Sequence, residues 1–429
     1  LRCLETKRTR HVILGAGPAG VIAAEPIRRR APADEIVLVG DEPEPPYSRM
    51  AIPYLLMGNV GEAGTHLRHD PTHYAKLRIT VQRGRLAAKV DIKARTVTLD
   101  DGSTLGWDRL LIATGSSPAA PPIPGMNLPG VHPCWTLKDA RAIAQLATKG
   151  ARVLQMGAGF IGCIIMEALA ARGVQLTVVE MGDRMVPRMM GPTAGGMIKQ
   201  WCEGKGVRVF TGTRVEAISL GTPLHVRLSN GQQLDADLVI SATGVKPNIG
   251  FLENSGITCL QGVLTDEHLQ TSVPGVYAAG DCAEAFDKVS GKTIVSAIQP
   301  NAAEQARVAA LNMVGRTTEL RGVTQINVLD TLGLISASFG DWQGVPGGEH
   351  VELTDRAAGR HLSLQFGGDR LVGCNSVGWT DHVGAMRGLV EGQVRLGEWK
   401  ERLKADPTQL MAAYLATAQA QENRALVKA

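Results

Sequence analysis

The chain has 429 residues, 44% of them hydrophobic and 20% charged, with a formal net charge of +4. At about 150 residues per domain that is two to three domains. A charge this small and evenly spread argues against nucleic acid as the main partner, leaving only a local basic patch to guide an acidic protein. No run of about 18 apolar residues occurs, so no membrane span is expected.

The seven cysteines, at 3, 134, 163, 202, 259, 282 and 374, never fall in a CxxC or CxxxxC spacing. That excludes a local redox disulfide, a zinc knuckle and a sequence-local iron–sulfur motif, and it fits the reduced thiols of a cytoplasmic protein. Lys7, Arg8 and Arg10 precede an apolar stretch in the manner of a signal peptide. A glycine motif occupies that stretch, so export is not expected.

His11-Val12-Ile13-Leu14 reads as a buried strand that collapses into Gly15-Ala16-Gly17-Pro18-Ala19-Gly20 and a helix to about Arg30, where Pro26 predicts a kink or an early end. Gly15 allows the tight turn, Gly17 lets backbone amides approach a pyrophosphate, and Gly20 lets the helix pack closely. The helix N-terminus then offers unpaired N–H groups and the positive end of its dipole. The following run, Glu35 to Glu42, predicts a second buried strand ending in acids. Asp41 or Glu42 is the candidate acceptor for both hydroxyls of an adenosine ribose.

A Pro-rich loop leads to Tyr47-Ser48-Arg49-Met50-Ala51-Ile52-Pro53-Tyr54-Leu55-Leu56. His66, His69 and His73 follow in a polar segment, but their spacing fits no common metal site. Residues 79–112 read as short strands with turns at Gly84 and Asp101-Gly102, closing on Ala113-Thr114-Gly115. Ala119 to Gly130 is a Pro- and Gly-rich linker.

Val153-Leu154-Gln155-Met156-Gly157-Ala158-Gly159-Phe160-Ile161-Gly162 then repeats the opening pattern, which a chance turn does not explain. Gln175 to Glu180 is again a buried strand with an acid at its end, 23 residues beyond Gly157. A carboxylate there repels a 2′-phosphate and favours NAD(H), while Arg184 and Arg188 keep NADP(H) open. Ala242-Thr243-Gly244 echoes Ala113-Thr114-Gly115, and Val276 to Cys282 closes a further strand on Gly280-Asp281. Helical periodicity runs from about Asn301 to Val314. From about 323 the pattern is short strands and glycine turns, then a charged helix over about 398–425.

Two fingerprints, two Ala-Thr-Gly turns and one Ala-Gly-Asp in this order resemble the FAD-dependent pyridine nucleotide-disulfide oxidoreductase superfamily, over nearly the whole chain. The resemblance implies an α/β fold with two Rossmann-like domains, for FAD and NAD, and a C-terminal α+β interface domain. It divides the chain into a first FAD piece at 10–118, the NAD domain at 119–244, a second FAD piece at 245–318 and the interface domain at 319–429. FAD is then held by Gly15, Gly17, Pro18, Ala19, Gly20, Asp41 or Glu42, Arg49, Thr114, Gly115, Gly280 and Asp281. NAD falls to Gly157, Gly159, Phe160, Ile161, Gly162 and Glu180, with Gly244 and Pro300 also among the cofactor-binding residues. Gly368 to Gly373 and Gly378-Trp379-Thr380-Asp381 resemble the nitrite reductase and rubredoxin reductase branch, whose last domain supports subunit or partner contacts.

Two departures define the chemistry. Thiol-using members carry a cysteine in a stretch resembling Ser-Cys-Gly-Ile-Pro-Tyr; here it is Arg49-Met50-Ala51-Ile52-Pro53-Tyr54, with a thioether that cannot form a mixed disulfide. Ferredoxin-reductase relatives pair a Glu after the second fingerprint with a Lys near the flavin; those positions are Ile164 and Tyr54. Met50, Tyr54 and Ile164 are therefore the flavin-facing candidates, and none is a thiol or an ion pair. The expected reaction is hydride transfer between NAD(H) and FAD with one-electron exchange to an iron–sulfur protein or subunit, in a hetero-oligomeric complex or a homodimer. The chain resembles the NAD-coupling flavin subunits of aldehyde or 2-oxoacid:acceptor oxidoreductases. The alternatives are a free-standing NADH oxidase, peroxidase or disulfide reductase working through Cys163 or Cys282, and a flavin-bound sensor or scaffold.

Overall fold

Alternation along the first strand sends Ile13 to one side of a sheet and Val12 and Leu14 to the other, so each side needs its own cover. In the computed structural model, which describes residues 8–417, both covers are present. The chain forms two compact units. The first consists of the described residues up to Ala51 together with Val60–Ser117 and Val245–Val323. Its five parallel strands run in the order Val276–Ala278, Arg109–Ile112, Arg10–Leu14, Glu35–Gly40, Ile79–Arg83. Ile13, Ile36, Leu38 and Leu111 pack under the helices Pro18–Arg30 and Gln299–Met313. Val12, Leu14, Val37, Leu110 and Ile112 pack under an antiparallel meander, Ala87–Asp91, Thr96–Leu99 and Thr104–Gly106.

The helix runs unbroken from Pro18 to Arg30 through Pro26, where the sequence predicts a kink or an early end; the early end does not occur. Its buried stripe, Ala19, Val21, Ala23, Ala24 and Ile27, packs in one cluster with Ala302, Ala306 and Ala309 of the other helix, and that burial outweighs one missing N–H.

The second unit consists of Ile52–Asn59, Pro118–Gly244 and the described residues from Thr324 onward. It repeats the architecture: strands Arg208–Phe210, Gln175–Val179, Arg152–Met156, Leu238–Ser241 and Val131–Pro133, all parallel, with the meander Val215–Ser219, Leu224–Leu228, Gln233–Ala236 on one side. The segment Ile52–Asn59, read from the sequence with the first FAD piece, packs here instead: the short helix Ile52–Leu56 lies against the helices Phe160–Ala171 and Leu137–Leu146. Arg172 Nη1 donates to Leu56 O at 2.8 Å.

The C-terminal part, in the same unit, is a five-stranded antiparallel sheet ordered Ile326–Thr331, Leu334–Gly340, Arg370–Val377, Arg360–Gly367, Glu349–Asp355. Asn375 pins it to the loop at Gly191, accepting from Gly191 N at 2.8 Å and donating to Met189 O at 3.0 Å. The single terminal helix expected over 398–425 is broken among the described residues. Trp399–Ala405 ends before Pro407, and Asp406 turns back to accept from Thr408 N at 3.0 Å. Helix resumes from Leu410 to Thr417; 418–425 lie outside the described residues. No helix among the described residues is long and apolar enough to cross a membrane.

Candidate dinucleotide sites

In the first unit, Gly15 N donates to Val39 O at 2.8 Å, so the turn closes over the neighbouring strand. Gly15 has φ +114, and a Cβ there would lie 1.9 Å from the Ala113 carbonyl oxygen; only glycine fits. Gly20 approaches Gly15 as closely, a Cβ falling 1.9 Å from its carbonyl oxygen. Gly17, between them, has nothing within 4 Å of its Cβ position. That open space lies at the N-terminus of the helix begun by Pro18, and it fits a pyrophosphate.

Around this turn the fold gathers polar groups from distant segments. Thr114 Oγ1 donates to Asn248 O at 2.7 Å, and Asn248 returns bonds to Thr114 O at 2.9 Å and, through its own N–H, to Gly115 O at 2.9 Å. Gly115 has φ +64 with open space on its Cβ side. Ser116 Oγ donates to Asp281 Oδ2 at 2.9 Å. Burial raises the Asp281 pKa above the usual carboxylate range, with Ser116 and Arg49 opposing. Arg49 donates to Ser116 O at 3.2 Å and to Glu42 Oε1 at 2.8 Å. Glu42 Oε2 accepts from Tyr47 Oη at 2.6 Å. Burial works against the Arg49 charge, but Glu42 and Tyr47 outweigh it and hold the guanidinium firmly protonated.

Of the two acids expected at the ribose, Glu42 accepts one bond on each oxygen, from Arg49 and from Tyr47, whereas Asp41 is exposed. Pro300 stands exposed in the first turn of Gln299–Met313, next to Gln299, whose Oε1 accepts from Ser48 Oγ at 3.2 Å. His73 Nε2 lies 3.0 Å from Glu25 Oε1, which also takes Arg68 Nε at 2.6 Å.

The second unit makes the same turn with different chemistry. Gly157 N donates to Val179 O at 2.8 Å, and a Cβ on Gly157, at φ +95, would lie 2.4 Å from the Ala242 carbonyl oxygen. Gly159 is open, as Gly17 is, at the N-terminus of Phe160–Ala171, and the space again fits a pyrophosphate. Gly162 is packed by Gly157 O and by the Gln155 side chain, whose Nε2 donates to Gly157 O and Gly162 O, each at 2.9 Å. Glu180 is buried, its Oε2 accepting from Ala158 N and its Oε1 from Gly182 N, both at 2.7 Å. Each oxygen keeps a second lone pair for a ribose hydroxyl. Arg184 donates to Met190 O at 2.8 Å and to Asp183 Oδ1 at 2.7 Å; Arg188 is exposed. Gly244 has φ +106 and open space.

Met50, in the turn Arg49–Ala51, is 48% exposed and Tyr54 54%, while Ile164, on the fingerprint helix, is partly covered. Among the described cysteines, Cys134, Cys163, Cys202, Cys282 and Cys374 are buried. Burial pushes the thiols of Cys134, Cys202 and Cys374 up to about 12 and raises those of Cys163 and Cys282. The Cys282 thiol donates to Ile112 O at 3.4 Å.

Residue spacing exposed the glycines and the acids. Ser116, Asn248, Tyr47 and Gln155 carried no signal, because each acts through a partner that only folding or a specific rotamer supplies.

Similarity to known proteins follows the same lines. A family model described as pyridine nucleotide-disulphide oxidoreductase matches residues 9–309. The chain is 31% identical to the NADH-dependent phenylglyoxylate dehydrogenase subunit epsilon of Aromatoleum evansii, over 94% of this chain and 96% of that one. It is also 31% identical to rhodocoxin reductase of Rhodococcus erythropolis, over 73% and 74%. The NAD-dependent persulfide reductase from A. fulgidus superposes with a TM-score of 0.84 at 28% identity, covering 91% of this chain and 78% of that one. With both nucleotide turns formed and the family model spanning them, the chain belongs to the pyridine nucleotide-disulphide oxidoreductases, as an oxidoreductase that uses FAD and NAD(H).

Proposed function

We propose that this chain is an NAD(H):acceptor oxidoreductase whose flavin exchanges single electrons directly with an iron–sulfur protein or subunit, with no cysteine relay. Bound FAD supplies the chemistry, trading a hydride with the nicotinamide and single electrons with the partner. The protein binds and orients. Gly15, Gly17 and Gly20 receive the FAD pyrophosphate, Asp41 or Glu42 the ribose and Asp281 the ribityl chain, while Glu42 and Tyr47 also hold Arg49. Gly157, Gly159, Gly162 and Glu180 receive NAD. Met50, in the turn Arg49–Ala51 of the first unit, faces the flavin as a thioether that carries neither an exchangeable proton nor a thiolate.

The observation that carries this reading is the state of the thiols: Cys163, next in sequence to the second fingerprint, and Cys282, next to Asp281, are fully buried and held protonated. A thioether stands at the position where thiol-using relatives place their cysteine. The match over nearly its whole length to a subunit of an NADH-dependent phenylglyoxylate dehydrogenase favours a fixed place in a hetero-oligomeric complex, with electrons running toward NAD+, over a diffusing ferredoxin or rubredoxin partner. We read the protein as cytoplasmic, in keeping with its free cysteines.

Anaerobic stopped-flow tests this. NADH is expected to bleach the flavin absorbance, and added oxidised ferredoxin to restore it within turnover time, faster than oxygen does. The double variant Cys163→Ser, Cys282→Ser is expected to keep that turnover. Its collapse would sink the thiol-free reading, and restoration by oxygen or a disulfide alone would sink the iron–sulfur acceptor. Native mass analysis of the purified particle reads complex membership directly.

A further inference from the structure

Gly280 N donates to Gln305 Oε1 at 2.7 Å, so a side chain from the helix Gln299–Met313 holds the backbone of the Gly280-Asp281 turn. Because Gly280 contributes an N–H, the end of the amide that faces it must be the carbonyl. Gln305 is fully buried, and its Nε2 has no protein hydrogen-bond partner. Burying an amide with one end unpaired is costly, so packing alone does not favour glutamine here. Gly280 is confined on its other side as well. At φ +82, its Cβ position lies 3.1 Å from Ala19 Cβ and 3.7 Å from Ala302 Cβ, so this peptide sits between the helix Pro18–Arg30 and the helix that carries Gln305. The next residue, Asp281, presents its carboxylate to Ser116 Oγ at 2.9 Å.

We propose that Gln305 is a positioning residue for the flavin, its carbonyl fixing the Gly280 peptide so that the Asp281 carboxylate is held at the cofactor. The inference rests on the reading of Gly280 and Asp281 as flavin contacts. Gln305 acts through Gly280 alone. Nothing in its sequence neighbourhood, Ala302-Ala303-Glu304-Gln305-Ala306, separates it from the rest of the helix. Removing its oxygen leaves the Gly280 N–H buried and unpaired and frees the turn to rotate away from Ser116.

The test is FAD affinity, read by flavin fluorescence as apoprotein is titrated with FAD, beside the melting temperature of each apoprotein. Asp281→Ala and Gln305→Met are each expected to weaken FAD binding by at least about tenfold, while Gln305→Glu, which keeps an acceptor oxygen, stays within about threefold of the parent. An unchanged dissociation constant for Asp281→Ala means that the flavin reading of this turn has failed. If Asp281→Ala weakens FAD binding but Gln305→Met only lowers the melting temperature, the positioning role alone is overturned. Gln305→Glu weakening FAD as much as Gln305→Met also overturns it, because the acceptor is then not the reason. Should Gln305→Met not fold, Gln305→Asn, whose carbonyl falls one methylene short, takes its place. About a tenfold weakening then supports the proposal, and a constant within about threefold of the parent overturns it.

Discussion

At Gly15 and again at Gly157 the chain turns off a central strand onto a helix, closes with an N–H to the neighbouring strand at 2.8 Å, and leaves one glycine open at the helix N-terminus. Strand register aligns the two: Leu14 pairs with Val39 as Met156 pairs with Val179. Here the likeness stops. Glu180 follows Val179, and its carboxylate binds two amides around the second turn, whereas Gly40 follows Val39, where a Cβ would lie 2.7 Å from Ala16 Cβ. The first turn has no room for an acid in that place, so its acids stand further on, with Glu42 drawn to Arg49. Beneath the second turn Gln155 bonds two carbonyls where the first has apolar Ile13. The backbone is thus shared and the polar groups are local to each copy, which lets one scaffold hold two different nucleotides.

The largest effect should come from separating the two kinds of glycine. Gly15→Ala forces a Cβ into the Ala113 carbonyl and is expected to cost the apoprotein about 3 kcal/mol or more. Gly17→Ala meets no protein atom and should change apoprotein stability by less than about 1 kcal/mol while blocking FAD. Urea unfolding with and without FAD reads both. Gly157→Ala and Gly159→Ala should repeat the contrast for NADH; a second pair that behaves uniformly breaks the equivalence of the turns.

Glu180 comes next. Glu180→Ala strips the acceptor from two amides and should raise the KM for NADH about tenfold while FAD content stays at the parent level, with Glu180→Gln in between. Loss of FAD from either variant would show that the two sites do not act separately.

The smallest effect is on acid stability and belongs to the first copy alone. His11 is fully buried with Nε2 2.9 Å from Asp34 Oδ2, where the second sheet has Val153. Burial lowers its pKa below 6.5, partly offset by Asp34. As pH falls through 6.5 the unfolded chain binds the proton first, so stability is lost from there down through the lowered folded value. Melting curves of the apoprotein at decreasing pH should show wild type losing stability faster than His11→Leu. Parallel pH profiles would remove His11 from the account.

The elements carrying the nucleotide turns were legible because their signals are local. Glycine spacing, strand alternation and the acid at 180 all follow from two backbone angles per residue and a period of two. Less legible was anything that tertiary packing overrules. Pro26 sits inside an intact helix because its neighbours are buried, Pro407 divides the stretch that periodicity reads as one helix, and Ile52–Asn59 leaves the unit that surrounds it in sequence.

By itself, then, the sequence determined that there are two dinucleotide turns, where each glycine must be, and that no cysteine stands beside Arg49. Tertiary structure decided which polar atoms surround them: Asn248 on Thr114 across 134 residues, Ser116 on Asp281 across 165, and Glu42 on Arg49. The reason is physical. A backbone conformation is fixed by the residue that adopts it, whereas a buried donor takes whichever acceptor packing brings within about 3 Å.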